Sequence, residues 1–183
     1  SGGLADRELG HWTKIVRPGE SFCTPKSVLT ACVGSVDDAA QRLAENIVKN
    51  LSLPETERKL PILFNEYCVT WGKPSEKKVL DQLAVLKGKD IGYYVIDAGW
   101  FDAKGYSGAN LGDWTVSEAV FPNGMKHVVE AIHQAGMKAG IWFELEVVGR
   151  DNPCFQKTEW LLRRDGIPIT SGDRRFWDLR KPE

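Results

Sequence analysis

The sequence predicts an α/β protein: the first part of a (β/α)8 TIM barrel, about three βα units, preceded by a short β-rich and helical connecting segment. Three observations carry this. From residue 61 onward, apolar runs suited to strands alternate with stretches of helical period. The runs "YYVI" and "GIWF" are almost continuously apolar, as strands of a parallel sheet covered on both faces are. Polar residues stand where three of the runs end, and α/β folds gather reactive groups at the carboxyl ends of parallel strands.

Taken in order, "GHWTKIVRPGESFCTPKSVLTACVG" has Pro-Gly and Thr-Pro punctuation between short segments rich in Val, Thr, Phe and Cys, which suits β-structure with turns. "SVDDAAQRLAENIVKNL" changes the period: Val36, Ala40, Leu43, Ile47 and Leu51 recur at helical spacing, with Ser35 as cap and Asp38 three residues later. A charged linker around Pro54 and Pro61 follows and is the expected boundary, dividing residues 1–58 from 59–183. "PILFNEYCVTW" reads as a strand interrupted by Asn65 and Glu66. "PSEKKVLDQLAVLKG" reads as a helix with Val79, Leu83 and Leu86 on one face and Gly88 as its stop. "GYYVIDAGWF" is the second strand. "NGMKHVVEAIHQAG" is a helix with Met125, Val128, Val129 and Ile132 inward, Asn123 as cap and Gly136 as stop. "MKAGIWFELEVV" is the third strand.

Composition narrows the partners. The 183 residues carry 24 Lys and Arg against 25 Asp and Glu, a net charge of -1. No basic stripe marks a nucleic-acid or anionic-membrane surface. No apolar run approaches the ~20 residues that span a bilayer, and no basic-then-apolar leader opens the chain, so a cytoplasmic location is expected. Cys23, Cys32, Cys68 and Cys154 form no C-x-x-C pair and are expected to be buried free thiols.

The strand ends point to chemistry. Acids or amides stand at each: Asn65 and Glu66, then Asp97, then Glu144 and Glu146. Trp71, Trp100, Trp114 and Trp142 fall beside them, from seven Trp in all. Carboxylates accept hydrogen bonds from sugar hydroxyls, each charge-assisted bond contributing about 1.5–3 kcal/mol. An indole face covers the C–H face of a pyranose, so the combination suggests a carbohydrate ligand. Acids at barrel strand ends also hold Mg²⁺ in enediolate-stabilising sites. Those sites bring a Lys or His base, whereas no Lys lies at these ends and His127 and His133 fall on a helix. No metal or cofactor is therefore expected.

The run "VIDAGWF" through "LGDWTVSEAVFPNGMKHVVEAIHQAGMKAGIWFELEVV" resembles the α-galactosidases of glycoside hydrolase family 36. That family shows Asp-Asp-Gly-Trp-Phe at a strand end, then Gly-Asp-Trp, then Phe-Pro-Asn-Gly opening a helix, then Gly-x-Trp-Phe-Glu-Pro-Glu. The order and spacing match over residues 60–183, and the stretch from Trp12 resembles the family's connection between a β-sandwich and its barrel. The resemblance implies that residues 1–58 are that connection and 59–183 the start of the catalytic barrel. It implies that Asp97 grips galactose hydroxyls and that Trp114, with Asp113 beside it, is an aromatic wall. Trp71 or its neighbours supply a further wall, and Trp100 belongs to the same strand-end group. Glu144 and Glu146 line or support the pocket.

Two departures stand out. Ala98 replaces the second aspartate, and "FELE" replaces "FEPE". Losing one carboxylate contact removes about 1.5–3 kcal/mol, roughly ten- to a hundredfold in affinity. An N-acetylated or gluco-configured sugar therefore stands beside galactose. The family's nucleophile and acid/base lie on later strands, so no catalytic residue is assigned. The expectation is a piece of a retaining α-glycoside hydrolase, inactive alone; the alternative is a non-catalytic sugar-binding or structural piece. Open sheet edges imply a homo-oligomer or association with the missing half of the barrel.

Overall fold

The computed structural model describes residues 14–24, 26–55 and 58–181. The chain divides into two compact units, Ser1–Pro54 and Glu55–Glu183.

In the first unit the expected helix forms as α1, Val36–Asn50. Its start is a reciprocal box in which Ser35 Oγ accepts from Asp38 N–H while the Asp38 carboxylate accepts from Ser35 N–H. Two orphan amides at the helix start are thereby satisfied. The expected β-structure before α1 is absent from its described residues, 14–24 and 26–34. Ile15, Leu29 and Val33 instead stand exposed. Strand preference is a preference for packing on a pleated neighbour, and no neighbouring strand is supplied here. Residues 10–13 and Pro25 of that stretch lie outside the described residues.

The second unit opens with β1 (Leu63–Asn65), α2 (Tyr67–Thr70), α3 (Glu76–Leu86), β2 (Tyr93–Ile96), α4 (Gly124–Gln134) and β3 (Lys138–Ile141). The three strands form one parallel sheet in the order β1-β2-β3, with Asn65 beside Val95 and Val95 beside Gly140. Helices α3 and α4 cover one face. Tyr94 and Ile96 point into it and meet Val79, Leu83, Val128 and Ile132, all buried, with Trp100 and Phe121 closing the cluster. Burial along β2 alternates, with Tyr93 and Val95 only half covered. The apolar runs thus come from one packed face and one open one, a correction to the expectation of a sheet covered on both.

Ser75 caps α3 by accepting from Lys78 N–H, and Gly88 at φ +79° lets the chain turn away. At α4 Asn123 holds the cap position without a side-chain cap bond. Its Nδ2 and backbone N–H donate instead to Glu76, at 2.6 and 3.0 Å, so the amide ties the two helix starts together.

All three strands are shorter than their sequence patterns. The first ends at Asn65 because Asn65 Oδ1 accepts from Tyr67 N–H at 2.9 Å, turning the chain into the four-residue α2. The third ends at Ile141, and Val147–Gly149 belongs to another sheet as β4. After β3 the described chain builds two 3-10 turns and the strands β5 (Arg163–Arg164), β6 (Ile167–Pro168), β7 (Thr170–Ser171) and β8 (Arg174–Phe176). Strands β4, β8 and β7 form an antiparallel sheet, and β5 and β6 pair as a hairpin. A third crossover helix is not among the described elements, so two βα units and a third strand stand where about three units were expected.

Candidate active site

The site lies at the carboxyl ends of β1, β2 and β3, on the face turned from the helices. Alternation puts it there: Asn65, Asp97 and Trp142 fall on the parity of Val95 and Gly140, opposite to Tyr94 and Ile96. An open cleft of about 360 Å³ is lined by Asn65, Tyr67, Cys68, Asp97, Ala98, Tyr106 and Trp142. That volume falls in the ~300–1,000 Å³ range of small-molecule sites.

Asp97 is held from both sides. Asn65 Nδ2 donates to Oδ2 at 2.6 Å and the Ala98 N–H donates to Oδ1 at 2.7 Å. Beneath it, Glu66 has no exposed surface. Its Oε1 accepts from the Asp97 N–H at 2.9 Å, and its Oε2 accepts from the Thr70 hydroxyl. Burial pushes the Glu66 carboxyl above its ordinary range, partly offset by the hydrogen bonds from Thr70 and Asp97. Each Asp97 oxygen still has acceptor capacity for a hydroxyl in the cleft.

Aromatic rings form the walls. Tyr106 meets Tyr67 and Trp142 edge-on, with centroids 6.4 and 6.0 Å apart. Trp142 in turn meets Trp114 at 5.9 Å. Glu144 reaches the cleft at one remove: Arg174 Nη1 donates to its Oε1 at 2.6 Å, and Arg174 Nη2 donates to the Tyr106 hydroxyl.

Of the residues singled out in the sequence, Asp97 lines the cleft and is 9% exposed. Trp114 stands behind Trp142, packed against the core cluster. Trp100 is 2% exposed and is a core residue, its Nε1–H donating to the Trp142 carbonyl. Trp71 is 72% exposed, with a left-handed backbone and its edge toward Tyr67. Asp113 is exposed and accepts from the Thr115 hydroxyl. Glu146 is exposed too, and its carbonyl accepts from Trp177 N–H. None of these five is among the lining residues.

Tyr67, Cys68 and Tyr106 line the cleft without having been singled out for it. Tyr67 and Cys68 are hidden in a run that reads as strand, and Tyr106 lies in a loop whose path the sequence does not show. The free thiols also differ from expectation: Cys23 and Cys68 are exposed, Cys32 and Cys154 half-buried. Cys68 is exposed because α2 turns it toward the cleft rather than into a sheet. Among the described residues no three His, Cys, Asp or Glu side chains converge as metal ligands, and no helix is long and apolar enough to cross a membrane.

A parallel sheet whose strand ends carry an anchored carboxylate beside aromatic rings defines an α/β protein with an open cleft at the carboxyl ends of its strands. The Melibiase family profile matches residues 21–183, and the chain belongs to that family. An alpha-galactosidase of Escherichia coli is 35% identical over 176 residues, 93% of this chain and 24% of that protein. The alpha-galactosidase AgaA of Geobacillus stearothermophilus is 28% identical over 88% of this chain and 22% of its own length. Among solved structures, the alpha-galactosidase from Lactobacillus brevis shares 33% identity at a TM-score of 0.59, over 67% of this chain and 17% of that one. A variant of the Geobacillus AgaA in complex with raffinose gives 0.60 at 26% identity, with the same coverage. The chain spans about a quarter or less of the curated relatives it matches.

Proposed function

We propose that this chain contributes the first strands of the catalytic (β/α)8 barrel of a retaining α-glycoside hydrolase of α-galactosidase type, acting on terminal α-linked galactosides. The observation that carries it is the Asp97 carboxylate, fixed by Asn65 and Ala98 in a cleft walled by Tyr67, Tyr106 and Trp142. Relatives named as alpha-galactosidases, one solved with raffinose, support the galactoside.

In this reading Asp97 accepts hydrogen bonds from ring hydroxyls, and Trp142, backed by Trp114 and Trp100, covers an apolar sugar face. Glu144 braces the cleft through Arg174, which donates to the Tyr106 hydroxyl. A retaining mechanism needs two carboxylates ~5–5.5 Å apart, one as nucleophile and one as acid/base. Asp97 is the one carboxylate in the lining and in this reading is taken up in binding hydroxyls, so both reacting groups come from other segments of the parent protein and this chain alone binds without turnover. The exposed Leu63 on β1 and Ile141 on β3 lie on the two outer strands of the sheet. Those edges pair with the remaining barrel in the parent, or with a second copy of the chain in isolation.

A second reading concerns the sugar. The Ala98 methyl, in a residue 2% exposed and in the lining, offers no partner for a hydroxyl, which favours a substituent with an apolar part such as an acetamido group. The experiment is hydrolysis of nitrophenyl α-glycosides of galactose, N-acetylgalactosamine and glucose by a longer protein containing this segment. Galactoside cleavage is expected; preference for the N-acetylated substrate would establish the second reading, and no cleavage of any would sink both.

A further inference from the structure

The cleft contains a proton donor whose proton has no partner among the described residues. Arg174 Nη2 donates to the Tyr106 hydroxyl oxygen, so the phenol O–H must point elsewhere. No acceptor for it is found among the described residues, and Tyr106 lines the cleft.

The phenol is held from several directions. Tyr106 N–H donates to the Gly72 carbonyl at 2.7 Å. Its ring is wedged edge-on between Tyr67 and Trp142. Arg174 is itself oriented by Glu144, at 2.6 Å, and passes over Gly108, where a Cβ would lie 3.0 Å from Nε. Strand β8, the segment after β3 and the loop after β2 thus all meet around Tyr106 and Arg174.

We infer that Tyr106 is a specificity-determining residue whose O–H donates to an oxygen of the bound sugar, and that Arg174 is the positioning residue that aims it. The inference rests on the glycoside reading above. Asp97 then takes a hydrogen bond from one sugar hydroxyl while Tyr106 gives one to another oxygen. A ligand with both groups at the right separation is selected. A nearby guanidinium polarises the phenol toward stronger donation. Burial holds its ionisation above the ordinary value, so the proton stays in place through neutral pH.

The test is titration of the full chain with methyl α-D-galactopyranoside and its monodeoxy analogues, followed by NMR. Tyr106→Phe, which keeps the ring, is expected to weaken binding of the parent sugar about tenfold, equal to about 1.4 kcal/mol. For one monodeoxy analogue the substitution is expected to have no effect, which names the hydroxyl. Arg174→Met is expected to weaken binding similarly, and adding Tyr106→Phe to it should change nothing further. Circular dichroism and melting of each variant establish that the fold is kept. Undiminished binding by Tyr106→Phe, or an equal loss for every analogue, overturns the inference and leaves the glycoside reading standing. No binding of any sugar by the unsubstituted chain overturns the glycoside reading, and the inference with it.

Discussion

Glu66 accepts the backbone N–H of Asp97 at 2.9 Å while having no exposed surface of its own. A residue at the end of β1 therefore sets the backbone of the residue at the end of β2, and with it the direction of the one carboxylate in the cleft. Removing the acceptor in Glu66→Ala orphans the Asp97 amide and the Thr70 hydroxyl. Buried groups left unpaired cost about 1–3 kcal/mol each, and that loss is expected in denaturant unfolding.

Glu66 also predicts a pH dependence. Its folded carboxyl lies above the ordinary value because burial disfavours the charge. A raised acid contributes most below the unfolded pKa and loses ground as pH rises toward the folded value. Stability relative to Glu66→Gln is thus expected to be greatest below pH 4.5 and to fall as pH rises above it. Unfolding at a series of pH values from 4 upward reads it; a difference that grows with pH would refute the assignment.

Glu76 should behave with opposite sign. The Asn123 side chain first, and its backbone N–H second, hold the Glu76 carboxyl below its ordinary range. The stabilisation is present above pH 4.5 and lost as pH falls through the lowered folded value. Glu76→Gln is expected to lower the melting temperature at neutral pH and to matter progressively less in acid, as the start of α4 loses its tie to α3.

Gly99 has φ +105°, and a Cβ there would collide with the Gly72 carbonyl oxygen. Gly99→Ala is expected to cost about 1–3 kcal/mol from the backbone conformation, with the collision added. That carbonyl also accepts from Tyr106 N–H, so the loop bearing Tyr106 should shift. Thermal melting and the NMR shift of the Tyr106 ring check the two effects.

The indoles should separate by role. Trp100→Ala empties the core and is expected to cost about 3–5 kcal/mol of stability. Trp142→Ala is expected to leave the chain folded and to weaken sugar binding. Asp97→Ala should weaken it about ten- to a hundredfold, the worth of one charge-assisted hydrogen bond. Denaturant unfolding and sugar titration of each variant distinguish them; a Trp142 variant that binds normally would remove the indole from the site.

Periodicity by itself determined the helices α1, α3 and α4, the place of the three parallel strands, and the position of Asp97 beyond the second of them. These are local properties, written in the spacing of apolar residues, in Ser35 as a cap and in Gly88 and Gly136 as stops. Tertiary structure alone decided where each strand ends and which side chains wall the cleft. Asn65 turns the chain at residue 67 through a side-chain bond that no pattern of hydrophobicity encodes. Tyr106 enters the cleft because Gly72 and Arg174 hold it, partners 34 and 68 positions away. Trp114 reads as a wall and stands one ring behind Trp142, since order along a chain says nothing of which ring lies in front. Contacts between residues far apart in sequence arise only when the sheet brings strand ends side by side, and the cleft is made of such contacts.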